Sequence, residues 1–127
     1  MQILLVAKDP DLLRSLSYGL ARRGCRVTPA SDVEAALAAA RFARPDVIVV
    51  DADSIDLSPG AGRVLTGPHC TPVLLLSVSD DESCDGRDAG QWRADDILAK
   101  PFTVQQLHQR LRATVWRKRR RAPFQAG

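Results

Sequence analysis

The sequence predicts an α/β fold, a doubly wound five-stranded parallel sheet with helices on both faces. Three observations lead there. Short apolar runs alternate with segments of helical periodicity along all 127 residues. Three of those runs are almost unbroken Val, Ile and Leu, the pattern of parallel strands covered on both faces. The strand–helix alternation in one short chain leaves room for a single core, reached through right-handed crossovers.

The predicted strands are 2–7 (QILLVA), 25–29 (CRVTP), 46–51 (DVIVVD), 72–77 (PVLLLS) and 96–99 (DILA). The first helix begins at Asp9-Pro10, an acid at the N-cap followed by proline at the first helical position. Leu12, Leu13, Leu16 and Leu20 repeat on one face, and Gly24 stops it. The second opens on Ser31-Asp32-Val33-Glu34, read as a capping box on Ser31, and runs to about Ala43. The last opens on Thr103-Val104-Gln105-Gln106, a second capping box, with Leu107, Leu111 and Val115 on its apolar face. Two connecting segments are poor helix formers. Residues 59–68 allow about two turns between glycines. Residues 80–93 carry two interior glycines, each costing about 1 kcal/mol relative to alanine, with little apolar surface in return.

Composition excludes several classes of protein. Hydrophobic residues make up 45% and charged residues 26%, an ordinary globular balance. No stretch approaches the roughly 20 apolar residues of a membrane span, and Ile3-Leu4-Leu5-Val6 reads as a strand and not a signal peptide. Cys25, Cys70 and Cys84 are odd in number and widely spaced, giving neither a disulfide framework nor a zinc site. Reduced thiols and a cytoplasmic location are the expectation. The net charge of +3 is local: Arg117-Lys118-Arg119-Arg120-Arg121 holds five positive charges, so the remainder sums to −2. A basic run there suits a solvated helix end, and nucleic-acid contact is the sharper alternative.

In a doubly wound sheet the ligand crevice forms beyond the carboxyl ends of the strands. Ala7-Lys8-Asp9 ends the first strand, Asp51 the third and Ser77 the fourth, while Lys100-Pro101 follows the fifth. A carboxylate, a hydroxyl and an ammonium from separate strands can accept and hold a phosphoryl group. His69 and His108 are isolated, and Trp92 and Trp116 read as packing or interface residues. Gly60-Ala61-Gly62 does not continue as a phosphate loop.

These positions resemble the receiver domain of bacterial two-component response regulators, of the OmpR/PhoB type. The likeness runs through Ile3-Leu4-Leu5-Val6, Asp9-Pro10-Asp11-Leu12, Pro45–Asp51, Pro72–Ser77, Ala94-Asp95-Asp96 and Lys100-Pro101-Phe102, across the chain to about residue 117. It implies the five-stranded receiver fold, of flavodoxin-like topology, with Asp51 at the phosphoacceptor position. By the same likeness Ser77 is the switch hydroxyl and Lys100 the phosphate-binding lysine, joined to Pro101 by a cis bond.

The departures carry more information than the matches. Receivers usually hold Mg²⁺ with two acids at the end of the first strand, and the matching residues here are Ala7 and Lys8. Loss of both predicts loss of Mg²⁺ binding and no other cofactor. Adjacent strands lie about 4.8 Å apart, so Lys8 is expected to pair with Asp51. Two such charges 4 Å apart attract by roughly 4 kcal/mol at an effective dielectric near 20. Val78 replaces a very small residue and Ile97 the usual aromatic, while Ile55 stands near a missing proline.

The expected function is therefore an atypical, non-enzymatic signalling module that acts without conventional aspartate phosphorylation, through dimerisation or through a partner or ligand. The alternative is a conventional receiver, phosphorylated on Asp51 by a histidine kinase. A nucleotide-binding α/β domain is a third reading. The resemblance implies a homodimer through the fourth helix, fifth strand and fifth helix, with Asp95, Asp96, Arg110 and Arg117 on that face and Gln106 in place of an acid. Residues 1–117 form the expected domain. Residues 118–127 form a basic tail or linker that could lead to a DNA-binding output domain.

Overall fold

The computed structural model describes residues 1–54, 71–78 and 95–126, with side chains as far as 117. The expectations placed on 59–68, 80–93, Ile55, His69, Cys70, Cys84 and Trp92 fall outside the described residues. Within them the chain runs β1 (Gln2–Val6), α1 (Pro10–Ala21), β2 (Arg26–Ala30), α2 (Val33–Ala43), β3 (Val47–Asp51), β4 (Val73–Ser77), β5 (Asp96–Ala99) and α3 (Val104–Ala126). All five predicted strands are present, each within a residue of its expected bounds. They form one sheet in the order β2-β1-β3-β4-β5, with every neighbouring pair parallel. Pro29 sits in β2, an edge strand, where its missing N–H interrupts no central ladder.

Alternation along the strands sends side chains to two faces. Ile3, Leu5, Val47, Val49, Leu74, Leu76 and Leu98 pack against Leu16 and Leu20 of α1 and Leu107, Leu111 and Val115 of α3. Leu4, Val6, Ile48, Val50 and Leu75 face the other way, onto Ala36, Leu37 and Ala40 of α2. The core is thus double, with β1, β3 and β4 buried on both sides, and their ends are held by rigid neighbours.

The helix ends follow short-range chemistry, with one correction. The Asp9 carboxylate accepts from the Asp11 N–H, as expected for an N-cap. The α2 cap is Asp32, not Ser31: its Oδ1 accepts from the Ala35 N–H at 2.7 Å. Aspartate is as good a cap as serine, and using it moves the helix start one residue along. Thr103 and Gln106 exchange the two expected bonds, Gln106 N–H to Thr103 Oγ1 at 3.0 Å and Thr103 N–H to Gln106 Oε1 at 2.9 Å. After α1, Gly24 takes φ +87°, a conformation open to glycine. Arg44 takes a left-handed φ of 45° at the α2 C-cap with no such exemption. The α3 helix also runs through 118–126, where a tail or linker was expected.

Candidate functional site

The carboxyl ends of β3, β4 and β5 carry the chemistry to one edge. Asp51 is the last residue of β3 and 3% exposed; it lies in register with Leu76, one residue before the equally buried Ser77. Ser77 pairs with Ala99, and the Lys100 N–H extends that ladder by donating to the Ser77 carbonyl at 2.8 Å. That bond fixes the start of the Lys100 side chain over the crevice. The Lys100-Pro101 bond is cis, as the resemblance implied. Asp51, Ser77 and Lys100, three residues singled out from sequence, therefore meet at one edge of the sheet.

Asp51 is closely held. Its Oδ1 lies 2.7 Å from Lys100 Nζ and accepts from the Asp53 N–H at 3.3 Å. Its Oδ2 accepts the Ser54 hydroxyl at 2.9 Å. Ser54 Oγ in turn accepts from the Lys8 N–H at 3.2 Å, tying the end of β1 to that of β3.

The expected Lys8–Asp51 pair is not what is observed. Lys8 is exposed, and Asp51's ammonium partner is Lys100. Strand spacing brought the Lys8 backbone near, but a residue past the strand edge is free to send a long side chain to water. What Lys8 contributes is its N–H.

Asp53 is the residue that sequence reasoning missed. Its Oδ2 lies 3.0 Å from Lys100 Nζ and accepts from the Val78 N–H at 2.9 Å. Ser77 Oγ makes a longer contact, 3.4 Å, with its Oδ1. Asp51-x-Asp53 spacing was the available signal, because two acids at and just past a strand end fall in one turn, where the Asp53 N–H reaches the Asp51 carboxylate. Burial alone would lower the Lys100 pKa, but hydrogen bonds to Asp51 and Asp53, reinforced by their charges, leave it raised above the ordinary 10.5. One ammonium thus serves two carboxylates.

To the Mg²⁺ ion that the resemblance implies, the crevice offers the carboxylates of Asp51 and Asp53. Such an ion takes oxygen ligands in near-octahedral geometry. Both crevice carboxylates are already bound by Lys100, the position of one usual acid is the fully buried Ala7, and that of the other is Lys8. Among the described residues, no three His, Cys, Asp or Glu side chains come within reach of one ion.

The residues assigned to a dimer face form a network within the chain. Arg110 Nη1 donates to both oxygens of Asp96, at 2.9 and 2.8 Å, and Arg117 Nη2 stands 3.5 Å from Asp96 Oδ2. Asp95 accepts from the Val73 N–H at 2.9 Å, which fixes the start of β4. Ile97 packs against the α2-side core, and Val78 and Trp116 are 68% and 58% exposed. No described helix is long and apolar enough to cross a membrane.

Comparison with known proteins fits this geometry. The family described as response regulator receiver domain matches residues 3–112. The chain is 35% identical over 119 residues to the probable transcriptional regulatory protein TcrX of Mycobacterium tuberculosis, covering 91% of this chain and 50% of that protein. It is 38% identical to the transcriptional regulatory protein KdpE of the same organism, covering 91% and 51%. The chain spans about half the length of these curated relatives. Among solved structures, the chemotaxis protein CheY4 of Vibrio cholerae superposes with a TM-score of 0.79 at 25% identity, covering 89% of this chain and 97% of that one.

Proposed function

Because the chain belongs to the family of response regulator receiver domains, we propose that it is the receiver portion of a transcription regulator that works without Mg²⁺-dependent phosphorylation of Asp51. One observation carries the reading: the crevice carboxylates, Asp51 and Asp53, share the single ammonium of Lys100. In-line phosphoryl transfer to a carboxylate needs positive charge on the transferred oxygens, ordinarily from a metal and a lysine together. Here two acids share one ammonium, so an incoming phosphate meets a crevice of net negative charge. Ala7 and Lys8 supply no ligand to correct it.

Output then depends on contacts with other molecules. The chain's partner in this reading is a second copy, held through the surface of β5 and α3. A groove lined by Leu98, Pro101, Gln106, Arg110 and Ala113 supports it. Surface ion pairs contribute about 0–1 kcal/mol each, so the Asp96–Arg110–Arg117 network would set orientation more than affinity. DNA contact belongs to a part of the regulator beyond this domain, and the cell compartment is the cytoplasm.

Convergence of Asp51, Ser77 and Lys100 also supports a second reading, a conventional receiver phosphorylated on Asp51 by a histidine kinase. Intact-mass analysis after incubation with acetyl phosphate, with and without Mg²⁺, separates the two. The first reading expects no adduct in the native chain and none in Asp51→Asn; an adduct regained in Lys8→Asp would trace the loss to the missing acid. A Mg²⁺-dependent adduct on the native chain that Asp51→Asn abolishes would establish the conventional receiver instead. Sedimentation at high concentration tests the dimer, and a monomer there rejects it.

A further inference from the structure

Asp53 belongs to no strand and lies two residues beyond Asp51, yet its carboxylate collects donors from the ends of two strands. The Ser77 hydroxyl comes from the end of β4, the Val78 N–H from the residue after it, and the Lys100 ammonium from just past β5. A backbone N–H, a hydroxyl and an ammonium converging on one place make an oxyanion-binding set, whose charged members form the stronger bonds. Ser77 is fixed by its ladder to Ala99, and the Lys100 backbone by its bond to the Ser77 carbonyl. The oxygens these donors bind come from the chain itself.

We propose that Asp53 is a tethered internal anion that fills the oxyanion site of the crevice, holding Ser77, Val78 and Lys100 in their anion-bound arrangement and excluding free inorganic phosphate. The inference rests on the reading that this crevice works without a metal or a transferred group, and it adds what takes their place. A carboxylate two residues from a strand end is present at high effective concentration, so a dissolved anion has to displace it. It must also approach Asp51 and Asp53 against a single positive charge. Asp53 thereby keeps the switch in one arrangement.

Inorganic phosphate is the probe, titrated in Mg²⁺-free buffer while the Val78 amide is followed by NMR. The native chain is expected to show no saturable shift at phosphate concentrations up to tens of millimolar. Asp53→Ala should give a saturable Val78 shift with a Kd at least tenfold tighter than any native response, and Lys100→Met in that background should abolish it. Asp53→Asn keeps the shape, removes the charge and should show a smaller gain. Equal phosphate binding by the native chain and the variants would overturn the proposal, as would folded variants that bind none. Loss of folding in Asp53→Asn would also overturn it, since that makes the acid a structural requirement and not an occupant. The titration is reversible and forms no bond to Asp51, so a covalent adduct in the acetyl phosphate experiment rejects the phosphorylation-independent reading separately.

Discussion

Lys100 and Asp51 make the shortest ion pair among the described residues, 2.7 Å, with the carboxylate side chain 4% exposed and the lysine side chain 21%. Removing the cation leaves a buried carboxylate uncompensated, and Asp53 loses its ammonium too. Lys100→Met is expected to destabilise the chain by about 2–4 kcal/mol in urea unfolding at neutral pH, near the range for breaking a buried pair. A change below ~0.5 kcal/mol would mean the pair is a solvated surface contact.

The same lysine gives a dependence on alkaline pH. Its folded pKa is raised above the unfolded 10.5, so its contribution is fully present below 10.5 and is lost as pH rises through the higher folded value. The stability difference between native chain and Lys100→Met should stay constant from pH 7 to about 10 and shrink above it. A difference that already falls between pH 7 and 9 would point to another group.

His108 acts at the acid side. Burial first, then the charges of Arg23, Arg112 and the Met1 amino group, lower its pKa below the ordinary 6.5. The folded chain therefore disfavours the imidazolium, and stability present above pH 6.5 is lost as pH falls through the lower folded value. His108→Gln should flatten that stretch of the stability profile; an unchanged slope between pH 7 and 5 would clear His108 of the effect.

Gly19 lets α1 approach the foot of α3. A Cβ there would lie 2.8 Å and 2.9 Å from the two methyl carbons of Val104, a side chain with little rotameric freedom. Gly19→Ala is expected to cost about 1–3 kcal/mol despite the better helix propensity of alanine. Val104→Ala in the same chain should recover most of that, and additive losses in the double variant would show that the two sites do not touch.

Arg44 is the reverse case, a side chain where glycine fits better. Its left-handed φ of 45° carries strain of about 1 kcal/mol, which Arg44→Gly relieves against a more flexible unfolded chain. Thermal unfolding should shift upward by an amount worth about 0.5 kcal/mol. A downward shift would show that the arginine side chain contributes more than its backbone costs.

Much of this was legible in the sequence because it depends on near neighbours. The unbroken apolar runs around Ile48 and Leu74 marked doubly buried strands, and Asp9, Thr103 and Gln106 marked helix ends through bonds spanning two or three residues. The convergence of Asp51, Ser77 and Lys100 followed from topology alone. Other features needed distances that no spacing rule supplies. Two lysines were candidates for Asp51, and the ladder bond from Lys100 to Ser77 decides between them. Asp53 gained importance through the Val78 N–H, the Ser77 hydroxyl and the Lys100 ammonium, all distant from it in sequence. Asp95 looked like a surface charge, yet it closes a gap at the start of β4.

Lys100 stands four residues before Val104, where the 23-residue helix α3 begins. A helix of that length is about 34 Å long, so a tilt of about 5° at its foot sweeps its far end through about 3 Å. Leu107, Leu111 and Val115 pack its first three turns onto the sheet, so the direction in which Ala126 is presented is set by the same core that carries the crevice.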